Sequence, residues 1–271
     1  MTGFSAKIIL DSMSPEGKRI TTISAVYPRF VHSELMTHRQ FSRNAMSSRA
    51  VPIKKMIEQV RTNPAAPIHW GSNRPGMSAG DELIGLDLEK AKDYWFSVAS
   101  TAANYAEAMA NLGLHKQIVN RVLEPFQWMH TIITSTEWDN FFDLRLALLE
   151  DGKTPVADPN MHELAKHMSD AIDASTPVVR ERHLPYVSEE EITQIGSVLN
   201  ACSISAARCA RVSYLNHDGS FPNIEKDLDL AHNLQNSRHA SPFEHIAFAA
   251  ERESRSRNFM GWTQFRAVLD L

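Results

Sequence analysis

The chain holds only two cysteines, Cys202 and Cys209, among 271 residues. That excludes a small secreted scaffold stapled by disulfides. The two lie seven residues apart in a helical pattern, which puts their Cα atoms roughly 10 Å from each other, too far for a disulfide. Two reduced thiols fit a cytoplasmic protein, and no Cys/His spacing matches a metal site. No apolar run approaches a membrane span. Met1 to Leu10 lacks the basic-then-apolar order of a signal peptide, so none is expected. A basic excess is missing too. The 28 Lys and Arg against 32 Asp and Glu give a formal net charge of −4, the wrong sign for bulk nucleic-acid binding. There is no internal repeat, low-complexity tract or clear linker. What is present is 43% hydrophobic, enough for a sizeable core in one large domain or two small ones.

Lys7 to Ser14 and Arg19 to Tyr27 are β-rich runs around Pro15-Glu16-Gly17-Lys18, which predicts a hairpin. Pro28 ends the second run, and Phe30 to Phe41 reads as a helix. A short helix is expected over Pro52 to Arg61. Thr62 to Gly80 is a Pro/Gly-rich loop carrying His69, Trp70 and Arg74, with Gly71, Gly76 and Gly80 as hinges if it works as a lid. Helices are expected over Asp87 to Asn111, His115 to Glu124 with Pro125 as the stop, Thr136 to Leu149 and Pro159 to Asp173. Ser188 with Glu191 makes a capping box for a long helix reaching Tyr214. Ile224 to Ser237 reads as a helix and His245 to Glu251 as a strand. The expected fold class is α+β, a mostly helical single domain over residues 1–271 with a small antiparallel sheet.

The most informative stretch is Thr37-His38-Arg39-Gln40-Phe41-Ser42-Arg43-Asn44-Ala45-Met46-Ser47-Ser48-Arg49. Its arginines offer planar donor forks and its serines short donors, a set that suits a phosphate and a flat polar ring. It resembles the signature of the flavin-dependent thymidylate synthases, in which His38, Arg39, Ser42, Asn44, Ser47 and Arg49 match in register. Near the C-terminus, Ala210-Arg211-Val212-Ser213 and His239-Ala240-Ser241-Pro242-Phe243-Glu244-His245 resemble two further segments of that family. In the family these precede the signature; here they follow it by about two hundred residues. A circular permutation is the reading, with the family's N-terminal segment moved to about residues 195–250. Arg121 with Pro125, and Asn140-Phe141-Phe142-Asp143-Leu144-Arg145, resemble the helices that hold the nucleotide.

The resemblance implies a flavin-dependent thymidylate synthase-like fold and reductive methylation of dUMP to dTMP. Methylenetetrahydrofolate would be the carbon donor, and FAD reduced by NADPH the hydride source. It implies a homotetramer with sites at subunit interfaces, and neither nucleic acid nor membrane as partner. Arg145 would be catalytic, stabilising charge near O2 and N3 of the pyrimidine. Arg49, Arg121, Ser47 and the backbone at Met46 and Ser48 would hold the nucleotide, with Glu34 standing where members often have Gln. His38, Arg39, Asn44, Ser213, Ser241 and Glu244 would contact the flavin, and Asn140 its adenine part. Without the resemblance, Arg145 reads as a surface arginine paired with Asp143 or Glu150. His239 and His245 read equally as structural, and Trp138, Phe141 and Phe142 as core.

The chain departs from the family pattern at Thr37 (family Arg), at Ala45 (family Glu), and at Asp158 and Asn160 (family Gln and Glu). Two other readings therefore stand. One is a related flavoenzyme that methylates or hydroxymethylates dCMP or dUMP. The other is an inactive nucleotide- or flavin-binding protein.

Overall fold

The computed structural model describes residues 3–212 and 220–271. The hairpin forms as β1 (Ser5–Met13) and β2 (Arg19–Pro28). A 3-10 turn, Arg29–Val31, leads into α1 (His32–Leu35), only four residues long. The helix expected to reach Phe41 stops there. The chain then turns and enters β3 (Ser42–Ala45). The reason is local: the Arg43 guanidinium donates from one nitrogen to the carbonyls of Leu35 and His38, at 2.9 and 3.0 Å. Backbone N–H groups of His38 and Phe41 reach the same two carbonyls at 3.3 and 3.2 Å, so Arg43 adds a charged donor to each turn. α2 (Ile53–Thr62) and α3 (Gly85–Asn111) form where the periodicity placed them. α4 (Lys116–Val119) is brief, and the chain continues as a 3-10 helix, Asn120–Phe126, that runs through Pro125 instead of stopping before it.

β4 (Trp128–Ser135) is a strand the sequence reading missed. Its Thr131-Ile132-Ile133-Thr134 run is β-branched and buried on both faces, so it shows no alternation. α5 (Asp139–Arg145) is shorter than expected, whereas α6 (Pro159–Asp173) starts at its proline under an Asp158 cap. After β5 (Val178–Val179) and β6 (Arg182–His183), the capping box opens α7 (Glu189–Ile195). Gly196 at φ +67° closes α7, and α8 (Val198–Arg211) starts afresh. The single long helix is thus two. α9 (Ile224–Asn236), the 3-10 turn Ser241–His245 and β7 (Ala247–Ala249) follow. β8 (Arg255–Ser256), β9 (Phe259–Met260), β10 (Trp262–Gln264) and α10 (Phe265–Val268) complete the described chain.

The main sheet has five strands in the order β3-β4-β2-β1-β5, with β5 parallel to β1 and every other pair antiparallel. α6 packs across β1 and β2, burying Ile23, Ile133, Phe141, Leu164 and Met168 together. A second sheet, β10-β7-β6, joins the first through buried side chains. Thr22 Oγ1 bonds Thr134 Oγ1 and His183 Nε2, both at 2.7 Å, and Thr134 Oγ1 bonds His245 Nδ1 at 2.8 Å. His183 Nδ1 meets Ser12 Oγ at 2.9 Å. This seam carries no net charge, so it ties the two sheets together without burying an ion. It also makes His245 structural and places the turn before it against β3 and β4.

Burial pushes the pKa of His183 and of His245 down to about 3. An unfolded histidine titrates near 6.5, so the unfolded chain takes up these protons first as pH falls. The stabilisation is complete above pH 6.5 and lost progressively toward pH 3. Between pH 7 and pH 5 each histidine should remove about 2 kcal/mol. Urea unfolding at both pH values should show this loss, and His183→Gln should reduce it. An unchanged pH dependence in the variant would contradict the buried-seam account.

Candidate active site

Two clusters of polar side chains flank α1. The first gathers on Glu124. Its Oε1 accepts from Ser48 Oγ at 3.2 Å and from Arg121 at 3.1 Å, and pairs with Arg29 at 3.0 Å. Asn120, fully buried, donates from Nδ2 to the carbonyls of Ser48 and Val51 at 2.7 and 3.1 Å. That clamp fixes the loop carrying Ser47, Ser48 and Arg49. Ser47 and Arg49 are exposed, and Arg121 keeps 58% of its side chain open to solvent. With one carboxylate among Arg29, Arg49 and Arg121, the cluster keeps a cationic excess and outward-facing donors suited to a phosphate. The structure thus brings Ser48 and Arg121 onto one acceptor and holds the loop of Ser47 and Arg49 beside them. One expected contact is corrected. The Met46 N–H donates to the His130 carbonyl at 2.8 Å, because β3 continues its pairing with β4 there. It is not available to a phosphate.

The second cluster centres on Arg145, the last residue of α5. Its Nε donates to His38 Nε2 at 3.1 Å, and a terminal nitrogen donates to Glu34 Oε2 at 3.1 Å. The partner is therefore Glu34, not Asp143 or Glu150. His38 accepts on Nε2, so its ring proton sits on Nδ1. Burial, then the charges of Arg145 and Arg43, push its pKa down to about 4. The ring stands edge-on to Phe141, with centroids 4.7 Å apart. His38 is thus a neutral acceptor that orients the guanidinium. Burial, and then the charge of Asp158, raise the pKa of Glu34, while Arg145 opposes them. Asp158 Oδ1 accepts from Asn160 N, Asn160 Nδ2 and Met161 N. The Asn160 side-chain oxygen accepts from Ile68 N at 3.0 Å, which ties the base of the Thr62–Gly80 loop to α6. Trp70 packs edge-on against Trp95.

The third set of expected residues meets at β3. The 3-10 turn Ser241–His245 packs on it. Ser42 Oγ accepts from Asn258 Nδ2 at 3.1 Å and from Gln264 Nε2 at 3.2 Å. Late residues therefore close over the early signature. Asn44 Oδ1 is buried without a hydrogen-bond partner among the described residues, and Arg39 and Ser241 are exposed. Glu244 is paired with Arg266, a contact that no local pattern signals. Arg43, read as a donor fork for a ligand, spends one nitrogen on backbone carbonyls. Asn140 is exposed on α5. Ser213 lies outside the described residues. Arg29, Asn120 and Glu124 were not anticipated. Their one signal is position: Arg29 follows the strand-ending Pro28, and the other two flank Arg121.

No protein-family model matches the sequence, and no curated protein matches it. Among solved structures, the chain is similar to a UMP/dUMP methylase from Streptomyces cacaoi bound with 5-Br UMP, at a TM-score of 0.52 and 14% identity. The match covers 64% of this chain and 89% of that one. A thymidylate synthase X from Helicobacter pylori with FAD and dUMP also matches, at a TM-score of 0.39 and 15% identity over 56% of this chain and 67% of that one.

His38 should titrate near pH 4 when followed by its ring resonances in NMR. Arg145→Gln should raise that value by removing a neighbouring charge, yet leave it below 6.5, because burial is the larger cause. A wild-type His38 that titrates at or above 6.5 would contradict the assigned hydrogen bond. At 14% identity the methylase likeness shows a shared fold, so the chain has the fold class that its resemblance to the flavin-dependent thymidylate synthases implied.

Proposed function

We propose that this protein is a flavin-dependent enzyme that adds a one-carbon unit to C5 of a pyrimidine deoxynucleoside monophosphate. Reductive methylation of dUMP to dTMP is the form the resemblance implies. The carrying observation is the pair of clusters at the two ends of one short helical segment. Arg29 and Glu34 are five residues apart, so their Cα atoms are on the order of 8 Å apart along it. A nucleotide with its phosphate on Arg29, Arg49, Arg121 and Ser48 would direct its base toward Arg145. A solved structure of the same fold is a UMP/dUMP methylase bound with 5-Br UMP, which supports a pyrimidine nucleotide as the substrate class.

Attack by C5 on an electrophile requires negative charge on the ring. The Arg145 guanidinium, oriented by His38 and Glu34 and four-fifths buried, is placed to stabilise that charge in a partly desolvated setting. A bound FAD, reduced by NADPH, would supply the hydride that converts the methylene of methylenetetrahydrofolate into a methyl group. The residues at and near β3 fit such a group: an Asn44 oxygen buried without a partner among the described residues, an exposed Arg39, and an exposed Ser241 on the turn packed against the strand. A moved N-terminal segment accounts for late residues meeting β3. Self-association fits α3, where Tyr94, Val98 and Tyr105, with Leu112 just past its end, form an exposed apolar stripe at helical spacing. We read it as the surface on which copies assemble into a homotetramer.

The test is flavin absorbance of the purified protein, with single-turnover product formation from pyrimidine nucleotides. Arg145→Lys keeps the charge and loses the planar fork. It should slow product formation about a hundredfold at saturating nucleotide, a larger effect than on nucleotide affinity. A variant that binds poorly yet turns over normally when saturated would show that Arg145 only holds the substrate.

A further inference from the structure

Glu34 is a carboxylate where the resemblance places an amide, and it bonds Arg145, the residue proposed to face the base. Its Oε2 accepts from Arg145, whereas Oε1 has no hydrogen-bond partner among the described residues; the side chain is 39% exposed. Asp158 lies near enough to influence it, so two carboxylates and one guanidinium share this corner. Guanidinium carries five N–H donors and no acceptor. Two of those donors go to His38 and Glu34, leaving three for a ligand. The corner therefore offers N–H donors on one side and, beside them, an oxygen that only accepts.

Cytosine and uracil differ in what they show such a corner. Cytosine presents two adjacent acceptors, O2 and N3, followed by the donor N4 amine. Uracil presents O2, then the donor N3–H, then the acceptor O4. Arginine N–H groups on O2 and N3 with a carboxylate on N4 complete every pair for cytosine. Neutral uracil in the same pose sets N3–H against an N–H, and O4 against a carboxylate oxygen. Ionising uracil at N3 repairs the first clash and leaves the second. A glutamine at this position could turn its amide N–H to O4, which a carboxylate cannot do. Buried polar groups left facing like partners are what make such sites discriminate strongly.

We infer that the base recognised here is cytosine, that the substrate is a cytosine deoxynucleoside monophosphate, and that Glu34 is the residue that sets this choice. The inference rests on the nucleotide-site reading above and names its substrate. It predicts that a single change, Glu34→Gln, turns the site toward uracil.

The experiment is calorimetric titration of dCMP, dUMP and dAMP into the flavin-loaded wild type and Glu34→Gln. The wild type should bind dCMP roughly tenfold or more tighter than dUMP, and Glu34→Gln should move that ratio toward dUMP by roughly tenfold to a hundredfold. Tighter wild-type binding of dUMP would overturn the inference and leave the pyrimidine-nucleotide site standing. An unchanged ratio in Glu34→Gln would likewise remove Glu34 as its determinant. Equal binding of dAMP would overturn base readout altogether. Binding of none of the three would overturn the nucleotide-site reading, and this inference with it. The wild-type ratio decides the choice of base even if the variant folds poorly.

Discussion

The Arg43 guanidinium, set against the carbonyls of Leu35 and His38, is the contact on which the site depends. Backbone N–H groups reach the Leu35 and His38 carbonyls at 3.3 and 3.2 Å. Arg43 adds a charged donor to both from the neighbouring strand. That lets α1 end at Leu35 and turns the chain so that Phe41 enters the core. It also allows Ser42–Ala45 to pair with β4. The same turn delivers His38 beneath Arg145 on one side and the Ser47–Arg49 loop to the Asn120 clamp on the other. A cation that looks from sequence like a ligand contact is used instead to build the frame.

The rest of the site follows from how charge is distributed on that frame. Glu124 draws Arg29, Arg121 and Ser48 to one oxygen. That holds like charges together before any anion arrives and leaves their other donors outward. Glu34 and His38 do the corresponding work on Arg145, one as a charged partner and one as a neutral acceptor. On the far side of β3, the uncharged seam Thr22, Thr134, His183 and His245 fixes the late 3-10 turn to the main sheet. Partners held on rigid elements in this way would pre-organise the guanidinium for the role proposed for it.

Much of this was legible in the sequence where a pattern is local. The hairpin, α2, α3, α6 and α9 follow from turn residues, periodicity and caps, and Asp158 before Pro159 fixes the start of α6. β4 was not legible, because a strand buried on both faces has no alternation to read. The premature end of α1 depends on Arg43 reaching back across a turn, and the break at Gly196 on one residue's positive φ. Long-range pairings were the weakest point. Motif matching selected Arg145, His38 and Glu34 separately, but nothing local says that they touch. Arg29 and Glu124 belong to no motif and emerge only when β2 and the Asn120–Phe126 turn meet.

The central claim is that one pyrimidine nucleotide spans the two clusters, phosphate at Arg29 and Arg121 and base at Arg145. The most direct measurement is the anomalous signal of bromine in crystals of the flavin-loaded protein with a 5-bromo pyrimidine deoxynucleoside monophosphate. Bromine marks C5, the atom proposed to react. The account predicts one peak between the Arg145 guanidinium and β3, with the phosphate density on Arg121. A bromine peak distant from Arg145, with the phosphate away from Arg29 and Arg121, would contradict it.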